Sequence, residues 1–197
     1  MDYYKMLGQL VKDNKGIITA KEVTELGIPR TYIAELVKEG TLKRYERGIY
    51  ISVQNDFDMM YCFQMRFAQI IFSHESALFL HGYLEDFQQA NVVTVRTGTN
   101  TKILTKSGAR VHSIRTELYT LGETERKTRY DRTVRVYDIE RSICDIVRNR
   151  KKIDNEVLVS TLRKYKNSPE KDISKLLDYA EKLKVSKILN TYLDFIY

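Results

Sequence analysis

The sequence predicts an α+β protein in two parts, and three observations lead to this fold class. Residues 1–52 contain short helical patterns that end at glycines, followed by two strand-like runs around a glycine turn. Residues 91–137 contain β-branched runs typical of strands. Beyond Asp138 the apolar residues recur every three to four positions, as in amphipathic helices. We therefore expect an N-terminal domain over 1–52, a polar joint, and a mixed α/β domain over 56–197 that ends in a helical bundle.

The N-terminal domain is predicted to begin with an amphipathic helix over residues 2–14 and a short strand at residues 17–18. Thr19 is a favourable N-cap for a second helix over residues 20–26. Gly27 supplies the left-handed conformation that ends this helix. The first helix should close the core of the domain.

A third helix is predicted from Pro29, which fits a first helical position, to Glu39. At about 100° per residue its buried face holds three apolar side chains: Ile33, Leu36 and Val37. The opposite, exposed face holds Thr31, Ala34, Glu35 and Lys38. Residues 42–45 and 49–51 are predicted strands of a hairpin, with Gly48 in its turn.

The order of helix, glycine turn, helix and basic hairpin is typical of a winged helix-turn-helix. A recognition helix enters the major groove with its N-terminal end leading, so Arg30, Thr31 and Tyr32 are predicted to contact bases. Lys38 is predicted to contact a phosphate, and the hairpin offers three more cations to the flanking backbone: Lys43, Arg44 and Arg47. The alternative is an RNA- or protein-binding module in which the winged helix is only a scaffold. Glu35 and Glu39 favour that alternative, because phosphates repel carboxylates.

The composition favours a polyanionic partner without showing where it binds. The net charge is +7 and the isoelectric point is near 9.2. Only +2 of this charge falls within residues 1–52. Cys62 and Cys144 lack the spacing of a metal or redox site and are predicted to be buried thiols. The sequence contains no long apolar segment, so we expect a cytoplasmic protein with no membrane partner.

In the second domain, Asp56 or Asp58 is predicted to cap a helix that runs to about Ile70. Ser73 is predicted to cap a short helix that ends at Gly82. Three strands are expected, at residues 91–97, 111–115 and 133–137, with a charged loop or hairpin before the last. Four helices should complete the chain: one capped by Asp138, one capped by Asp154, one opened by residues 168–170, and one around residues 188–196.

Enzymatic motifs are missing from the sequence. It has no phosphate-binding P-loop, no nucleophile elbow and no His-Glu-x-x-His motif. His74 and His81 could share one helix face and bind a metal, but the sequence offers no third ligand beside them. We therefore predict a protein that is not an enzyme, with no catalytic residue, no metal site and no cofactor.

Three charged groups in the second domain have both a structural and a functional interpretation. The basic run 148–152 follows an amphipathic helix and favours its C-terminus, and contact with a nucleic-acid backbone is the alternative. A second basic cluster within residues 126–135 is diluted by acidic side chains. Arg141 and Asp145 are four residues apart and can pair on one helix face. Such a pair is usually a structural salt bridge, and a functional surface is the alternative.

Three stretches of the sequence resemble the AbiEi antitoxin family. They are GIITAKEVTELGIPRTYIAELVKEGTLKRYERGIY at 16–50, FSHESALFLHGY at 72–83 and YDIERSICDIVRNRKKID at 137–154. The first stretch is similar to the winged domain of the family, and the other two are similar to its second domain. The combination of three stretches in the same order carries the resemblance, since short winged helices are common.

The resemblance implies an antitoxin of a bacterial type IV toxin–antitoxin pair, which takes part in abortive infection as a defence against phage. It implies a functional partner, a nucleotidyltransferase-like toxin, that the antitoxin counters without forming a stable complex. It also implies that the winged domain represses its own operon by binding inverted repeats in promoter DNA, on which two molecules would pair. The resemblance carries the DNA-contacting role onto seven residues: Arg30, Thr31, Tyr32, Lys38, Lys43, Arg44 and Arg47. For antitoxicity it indicates no residue, and Arg141 and Asp145 stand only as candidates.

Overall fold

The computed structural model describes residues 2–55, 57–85 and 91–196, and it divides the chain into two compact units. Unit 1 is Met1–Cys62 and unit 2 is Phe63–Tyr197. The division falls within a helix, whereas the predicted joint at 52–56 lies inside unit 1. Over the described ranges no helix has the length and apolar character needed to cross a membrane.

Unit 1 is built from three helices and a three-stranded antiparallel sheet in the order β1-β3-β2. Its elements are α1 (Tyr3–Asp13), β1 (Ile17–Thr19), α2 (Ala20–Glu25), α3 (Thr31–Lys38), β2 (Leu42–Glu46) and β3 (Ile49–Ser52). The helix-turn-helix and the wing are therefore present as predicted, and β1 pairs with β3 of the wing.

The core of unit 1 lies between the three helices and one face of the sheet. It is formed by six buried side chains: Leu7, Ile18, Val23, Ile28, Ile33 and Leu42. Thr19 closes a reciprocal capping box with Glu22, which confirms the predicted start of α2. The predicted start of α3 is wrong, because Pro29 precedes the helix. The Pro29 carbonyl accepts a hydrogen bond from the Tyr32 amide in a tighter turn, at 3.2 Å.

Helix α4 (Met59–Arg66) contains the division between the units. Asp58 caps it by accepting a hydrogen bond from the Tyr61 amide at 3.0 Å. Asp56, the other candidate cap, lies outside the described residues. The predicted extension to Ile70 is wrong, because α4 ends at Arg66 and a turn follows, in which the Ile70 amide donates to the Phe67 carbonyl at 3.0 Å. The two-residue strand β4 (Ile71–Phe72) comes directly after this turn.

Unit 2 contains a five-stranded mixed sheet in the order β6-β5-β4-β8-β7. The short β4 lies at its centre, parallel to β8 and antiparallel to β5. After β4 its elements are α5 (His74–Leu80), β5 (Val92–Arg96), α6 (Lys102–Lys106), β6 (Arg110–Ile114), α7 (Thr116–Tyr119), β7 (Glu123–Lys127), β8 (Thr133–Tyr137), α8 (Ile139–Arg148), α9 (Asn155–Lys166), α10 (Ile173–Lys182) and α11 (Ser186–Ile196). The charged segment before β8 is a hairpin strand, one of the two predicted alternatives.

Helix α8 is the central buried helix of unit 2, and every residue from Glu140 to Val147 is buried. Asp138 caps it, as predicted, by accepting a hydrogen bond from the Arg141 amide. The predicted start of α10 at residues 168–170 is wrong, because Asp172 is the cap. Cys62 and Cys144 are buried free thiols, as predicted.

Candidate nucleic-acid interface and buried polar clusters

The turn between α2 and α3 orients the predicted recognition helix. Gly27 has φ of +71°, a conformation that costs glycine little. Its amide donates to the Thr24 carbonyl, and the Ile28 amide donates to the Val23 carbonyl, each at 3.0 Å. These bonds close the end of α2, so that α3 leaves the turn in a fixed direction.

The exposed face of α3 matches the prediction. Ile33 is 2% exposed and anchors the inner face, with Leu36 and Val37 half-buried beside it. The four side chains on the other side are exposed: Thr31, Ala34, Glu35 and Lys38. The helix therefore presents a hydroxyl, a methyl group, a carboxylate and an ammonium group to solvent.

Arg30 lies immediately before α3 and is exposed. Its Nε donates a hydrogen bond to Thr24 Oγ1 at 3.0 Å, while the Thr24 hydroxyl donates to the Ala20 carbonyl at 2.7 Å. Thr24 on α2 therefore holds the Arg30 side chain at the leading end of α3. The sequence analysis missed Thr24, because no sequence pattern indicates a side-chain contact across the turn between α2 and α3.

Tyr32 is placed differently from its two neighbours. Its ring is half-buried and packs on Tyr3 and Tyr4 of α1, with ring centroids 5.2 Å and 5.0 Å apart. The ring therefore joins α3 to α1, a role that the sequence analysis did not assign. Its predicted base contact stays a prediction, and Arg30 and Thr31 are the more accessible members of the predicted trio.

Tyr4 of α1 also contacts Glu35 of α3, the carboxylate that the sequence analysis considered unfavourable beside DNA phosphates. Its hydroxyl donates a hydrogen bond to Glu35 Oε2 at 2.5 Å. This bond raises the pKa of Tyr4 to about 12, so the phenol stays protonated and keeps donating at neutral pH. Glu35 is therefore drawn towards α1.

The basic residues of the wing lie on two faces of the hairpin. Lys43 is opposite Ile51, and Arg44 is opposite Tyr50. Because neighbouring residues of a strand point to opposite faces, Arg44 shares the face of Leu42 and Tyr50, which packs on the helical core. Lys43 lies on the other face, where it lines an apolar groove together with Tyr45, Ile51 and Phe57. Arg47, in the turn before Gly48, is exposed.

In unit 2 the predicted pair of Arg141 and Asp145 forms, with Arg141 Nε donating to Asp145 Oδ2 at 3.1 Å. The two residues are 0% and 3% exposed. Arg141 Nη1 also donates to the carbonyls of Leu118 and Leu121, at 2.9 Å and 2.7 Å. The pair is therefore buried and does not lie on an exposed surface, and it ties α8 to α7 and to the turn that follows α7. Its role in antitoxicity stays a prediction.

The three histidines of the chain are engaged by neighbouring groups. His81 Nε2 lies 2.9 Å from the Tyr137 carbonyl, and its Nδ1 accepts from Arg126 Nε at 3.2 Å. His74 Nε2 lies 2.8 Å from Asn149 Nδ2, and its ring stacks on His112 with centroids 3.8 Å apart. Over the described ranges no three His, Cys, Asp or Glu side chains are grouped as a metal site would need.

A groove of about 970 Å³ runs beside the N-terminus of α8. Within it Lys175 Nζ lies 3.1 Å from Asp138 Oδ2 and 2.9 Å from Glu140 Oε2. The Tyr165 hydroxyl donates to Glu140 Oε1 at 3.0 Å. These contacts satisfy the charges of the cluster within the protein and fix α10 against α8.

Two cations of the basic cluster around β7 and β8 are engaged in ion pairs. Arg135 Nε donates to Glu123 Oε1 at 2.6 Å, and Lys127 pairs with Asp131. The run at 148–152 starts with Arg148 in the last turn of α8, followed by a 3₁₀ turn over Arg150–Lys152. This placement fits the structural interpretation of cations at a helix C-terminus.

Residues 6–53 match a family model described as "Transcriptional regulator, AbiEi antitoxin". The resemblance to the AbiEi antitoxin family is confirmed for unit 1. The matched segment runs from α1 to just beyond β3 and so contains the helix-turn-helix and the wing. The match covers about a quarter of the chain and indicates a transcriptional-regulator antitoxin for that part of it.

The fold is similar to that of a solved structure, titled "Crystal structure of RV2827C protein from Mycobacterium tuberculosis". The TM-score is 0.64 at 15% sequence identity, over 95% of this chain and 75% of that chain. At this identity the similarity concerns the fold alone. No curated protein matches the sequence.

Proposed function

We propose that this chain is the antitoxin of a type IV toxin–antitoxin pair and that it represses its own operon by binding inverted-repeat promoter DNA. The observation that supports this most is the exposed face of α3, which lies within the segment that matches the AbiEi antitoxin regulators. A helix anchored by Ile33 and leading with Arg30 and Thr31 has the form that a major groove accepts.

In this proposal α3 enters the groove with Arg30 and Thr31 at the base edges, while Lys38 contacts a phosphate further along. Arg44 holds the flanking backbone from the face that it shares with Leu42 and Tyr50, and Arg47 holds it from the exposed turn of the hairpin. Two molecules on an inverted repeat would cover the promoter and exclude the polymerase. Repression then requires only that the protein occupies the promoter, and it needs no catalytic group.

The test is binding of the full chain to a duplex from upstream of its own gene, against a scrambled duplex, over a salt series. Lys38→Ala should weaken binding to both duplexes and reduce the slope of log affinity on log salt by about one. Thr31→Ala should mainly reduce discrimination between the duplexes. Lys12→Ala is the matched control, because Lys12 is exposed in the last turn of α1 and lies outside α3 and the wing.

Weak and equal affinity for both duplexes would contradict operator recognition. The alternative, an RNA- or protein-binding module with the winged helix as a scaffold, would then be the better hypothesis. An unchanged salt slope for Lys38→Ala, with selective binding intact, would contradict the orientation of α3 while leaving repression in place.

The antitoxin part of the proposal assigns neutralisation to unit 2, as predicted for residues 56–197. Co-expression with the neighbouring nucleotidyltransferase-like toxin should restore growth. A full-length Arg30→Ala/Lys38→Ala double variant should restore growth equally well, since both changes are in unit 1. Elution of toxin and antitoxin as one stoichiometric species in size-exclusion chromatography would contradict the type IV assignment.

A further inference from the structure

Unit 2 contains a small polar cavity that neither operator binding nor neutralisation explains. Its volume is about 110 Å³, and it lies among the β4–α5 turn, strands β5 and β6, and the C-terminal half of α8. The lining includes His74, Thr94, His112, Arg141, Asp145 and Arg148. A volume of this size holds one tetrahedral oxyanion but not a nucleoside.

The charges around the cavity are predominantly positive. Arg110 is paired with Glu75 at 2.5 Å, and Arg141 is paired with Asp145. Arg148, in the lining, and Lys152, close to His112, are both exposed and add two further cations. Four cations therefore face two carboxylates around this site, and the excess favours an anion.

The two stacked imidazoles supply polar groups without adding charge. Burial, followed by the charge of Arg110, lowers the pKa of His112 to about 4. Burial, followed by His112 and Arg110, lowers the pKa of His74 well below its usual value. Asn149 Nδ2 bonds both the Asp145 carbonyl and His74 Nε2, which leaves the His74 proton on Nδ1 towards Ser73 Oγ. At neutral pH the cavity wall is therefore a pair of neutral rings held in one orientation.

One buried charged donor in this wall is not satisfied by the protein. Arg141 is 0% exposed, and its Nη2 has no hydrogen-bond partner among the residues that the structure describes. A buried guanidinium nitrogen without an acceptor is unfavourable, because the desolvation of the donor is not compensated. An acceptor oxygen of a ligand in the cavity would compensate it.

We propose that this cavity binds a small oxyanion with the chemistry of a phosphate group, held by Arg141, Arg148 and His112. The Asp145 carboxylate, which also lines the cavity, opposes the anion and makes a modest affinity the expectation. The proposal does not depend on operator binding, because all of these residues are in unit 2.

The first experiment uses inorganic phosphate as the probe and the full-length protein labelled at its histidines. The imidazole signals of His74 and His112 are followed by NMR while phosphate replaces chloride at constant ionic strength. We expect saturable shifts at these two rings and none at His81, which lies outside the cavity lining. Shifts that do not saturate, or that are equal at His81, would overturn the proposal, because they indicate a general ionic effect.

The second experiment tests where the anion binds, by substituting one exposed arginine in the cavity lining and one outside it. Arg148→Gln should weaken phosphate binding by at least about tenfold, since a charge-assisted hydrogen bond is lost. Arg163→Gln, an equal change of charge on the exposed side of α9, should leave the affinity unchanged. Equal effects of the two substitutions, in variants with unchanged circular dichroism, would overturn the assignment to this cavity.

The third experiment distinguishes the two sources of a phosphate group. Adenosine 5′-monophosphate that binds at least as tightly as inorganic phosphate, with the same loss in Arg148→Gln, supports a terminal phosphate of a nucleotide whose nucleoside extends outside. Binding of inorganic phosphate alone supports the free ion. Binding of neither overturns the proposal. Operator affinity measured in parallel should not respond to Arg148→Gln, so failure here is distinguishable from failure of the repressor proposal.

Discussion

Two ion pairs with the same spacing have opposite environments in the two units of this molecule. In unit 1, Lys21 and Glu25 on α2 lie 3.6 Å apart, with side chains 84% and 62% exposed. In unit 2, Arg141 and Asp145 on α8 lie 3.1 Å apart, with side chains 0% and 5% exposed. The i,i+4 spacing predicts that both pairs can form, but it does not distinguish a solvated pair from an enclosed one.

The difference follows from the number of elements around each helix. Helix α8 is packed against α5, α9, α10 and α11, whereas α2 borders a small core and faces solvent on its charged side. A charge enclosed by packing is desolvated and depends on its partner, while an exposed one is hydrated whether or not its partner is present. The functional side chains of unit 1 are accordingly on its surface, and the charged residues that stand out in unit 2 are mostly structural.

The largest expected effect is that of breaking the enclosed pair. Asp145→Ala should lower the free energy of unfolding by roughly 3–5 kcal/mol, because it leaves the Arg141 guanidinium buried without a counter-charge. Glu25→Ala, the matched change in the exposed pair, should cost less than about 0.5 kcal/mol. Urea unfolding of the two variants measures both values. Equal costs would show that burial does not separate the two pairs energetically.

A second difference between the units concerns acid sensitivity. All three histidines are in unit 2, and burial lowers the pKa of His74 and of His112, the latter to about 4. Because the unfolded chain takes up these protons first, near pH 6.5, stability should fall as the pH decreases from there.

Between pH 6.5 and about pH 5 His112 alone should contribute roughly 1–2 kcal/mol of this loss, since one unit of pKa corresponds to about 1.4 kcal/mol and partial exposure of the ring screens the effect. His74 adds to the loss in the same direction. Hydrogen exchange read separately in each unit should place the loss in unit 2. His112→Asn should flatten the dependence. A loss of protection in unit 1 over this range would contradict the assignment to the buried imidazoles.

A third prediction compares two threonines at helix N-caps. Thr19 of α2 makes a capping box, whereas Thr101 of α6 makes no side-chain cap bond. Thr19→Ala should therefore cost about 1 kcal/mol and Thr101→Ala only a few tenths of that value. Thermal denaturation of both variants checks this. A larger cost at Thr101 would show that unit 2 depends on that hydroxyl in another way.

The smallest expected effect is a difference in operator affinity between substitutions on the two faces of the wing. This prediction depends on the proposed operator binding. Arg44→Ala should weaken operator affinity several-fold, while Lys43→Ala should leave it within about twofold, because Lys43 lies on the opposite face. Electrophoretic mobility shifts at low salt measure both variants. The reverse order would place DNA on the groove side of the hairpin.

Much of the fold could be predicted where local signals agree. Helix α9 begins after Asp154 as predicted, since its cap and its apolar spacing coincide. Strand β4 could not be predicted, because two apolar residues after a helix continue the helical pattern as well as they form a strand. Ser168, Pro169 and Glu170 have the composition of a helix start, but the structure uses Asp172, whose amide bonds the Tyr165 hydroxyl and Glu140.

The candidate nucleic-acid interface also has a part that the sequence predicted and a part that it did not. Periodicity identified the exposed face of α3, because burial within one helix repeats with the turn of that helix. It could not identify the contact of Thr24 with Arg30, since this bond spans the turn between α2 and α3. Nor could it identify the packing of Tyr32 on α1 or the bond from Tyr4 to Glu35, since each of these joins two separate helices.

The sequence by itself determined the helix-turn-helix, the wing and the residues that face solvent on α3, because caps, glycine turns and helical spacing act over a few residues. Only the tertiary structure decided that Arg141 and Asp145 are enclosed, and that His74, His112 and Arg148 line one cavity. His74, His112 and Arg148 come from segments far apart in the chain, and the packing of α5, β6 and α8 brings them together. Their burial, and with it their charge and chemistry, is a property of that packing.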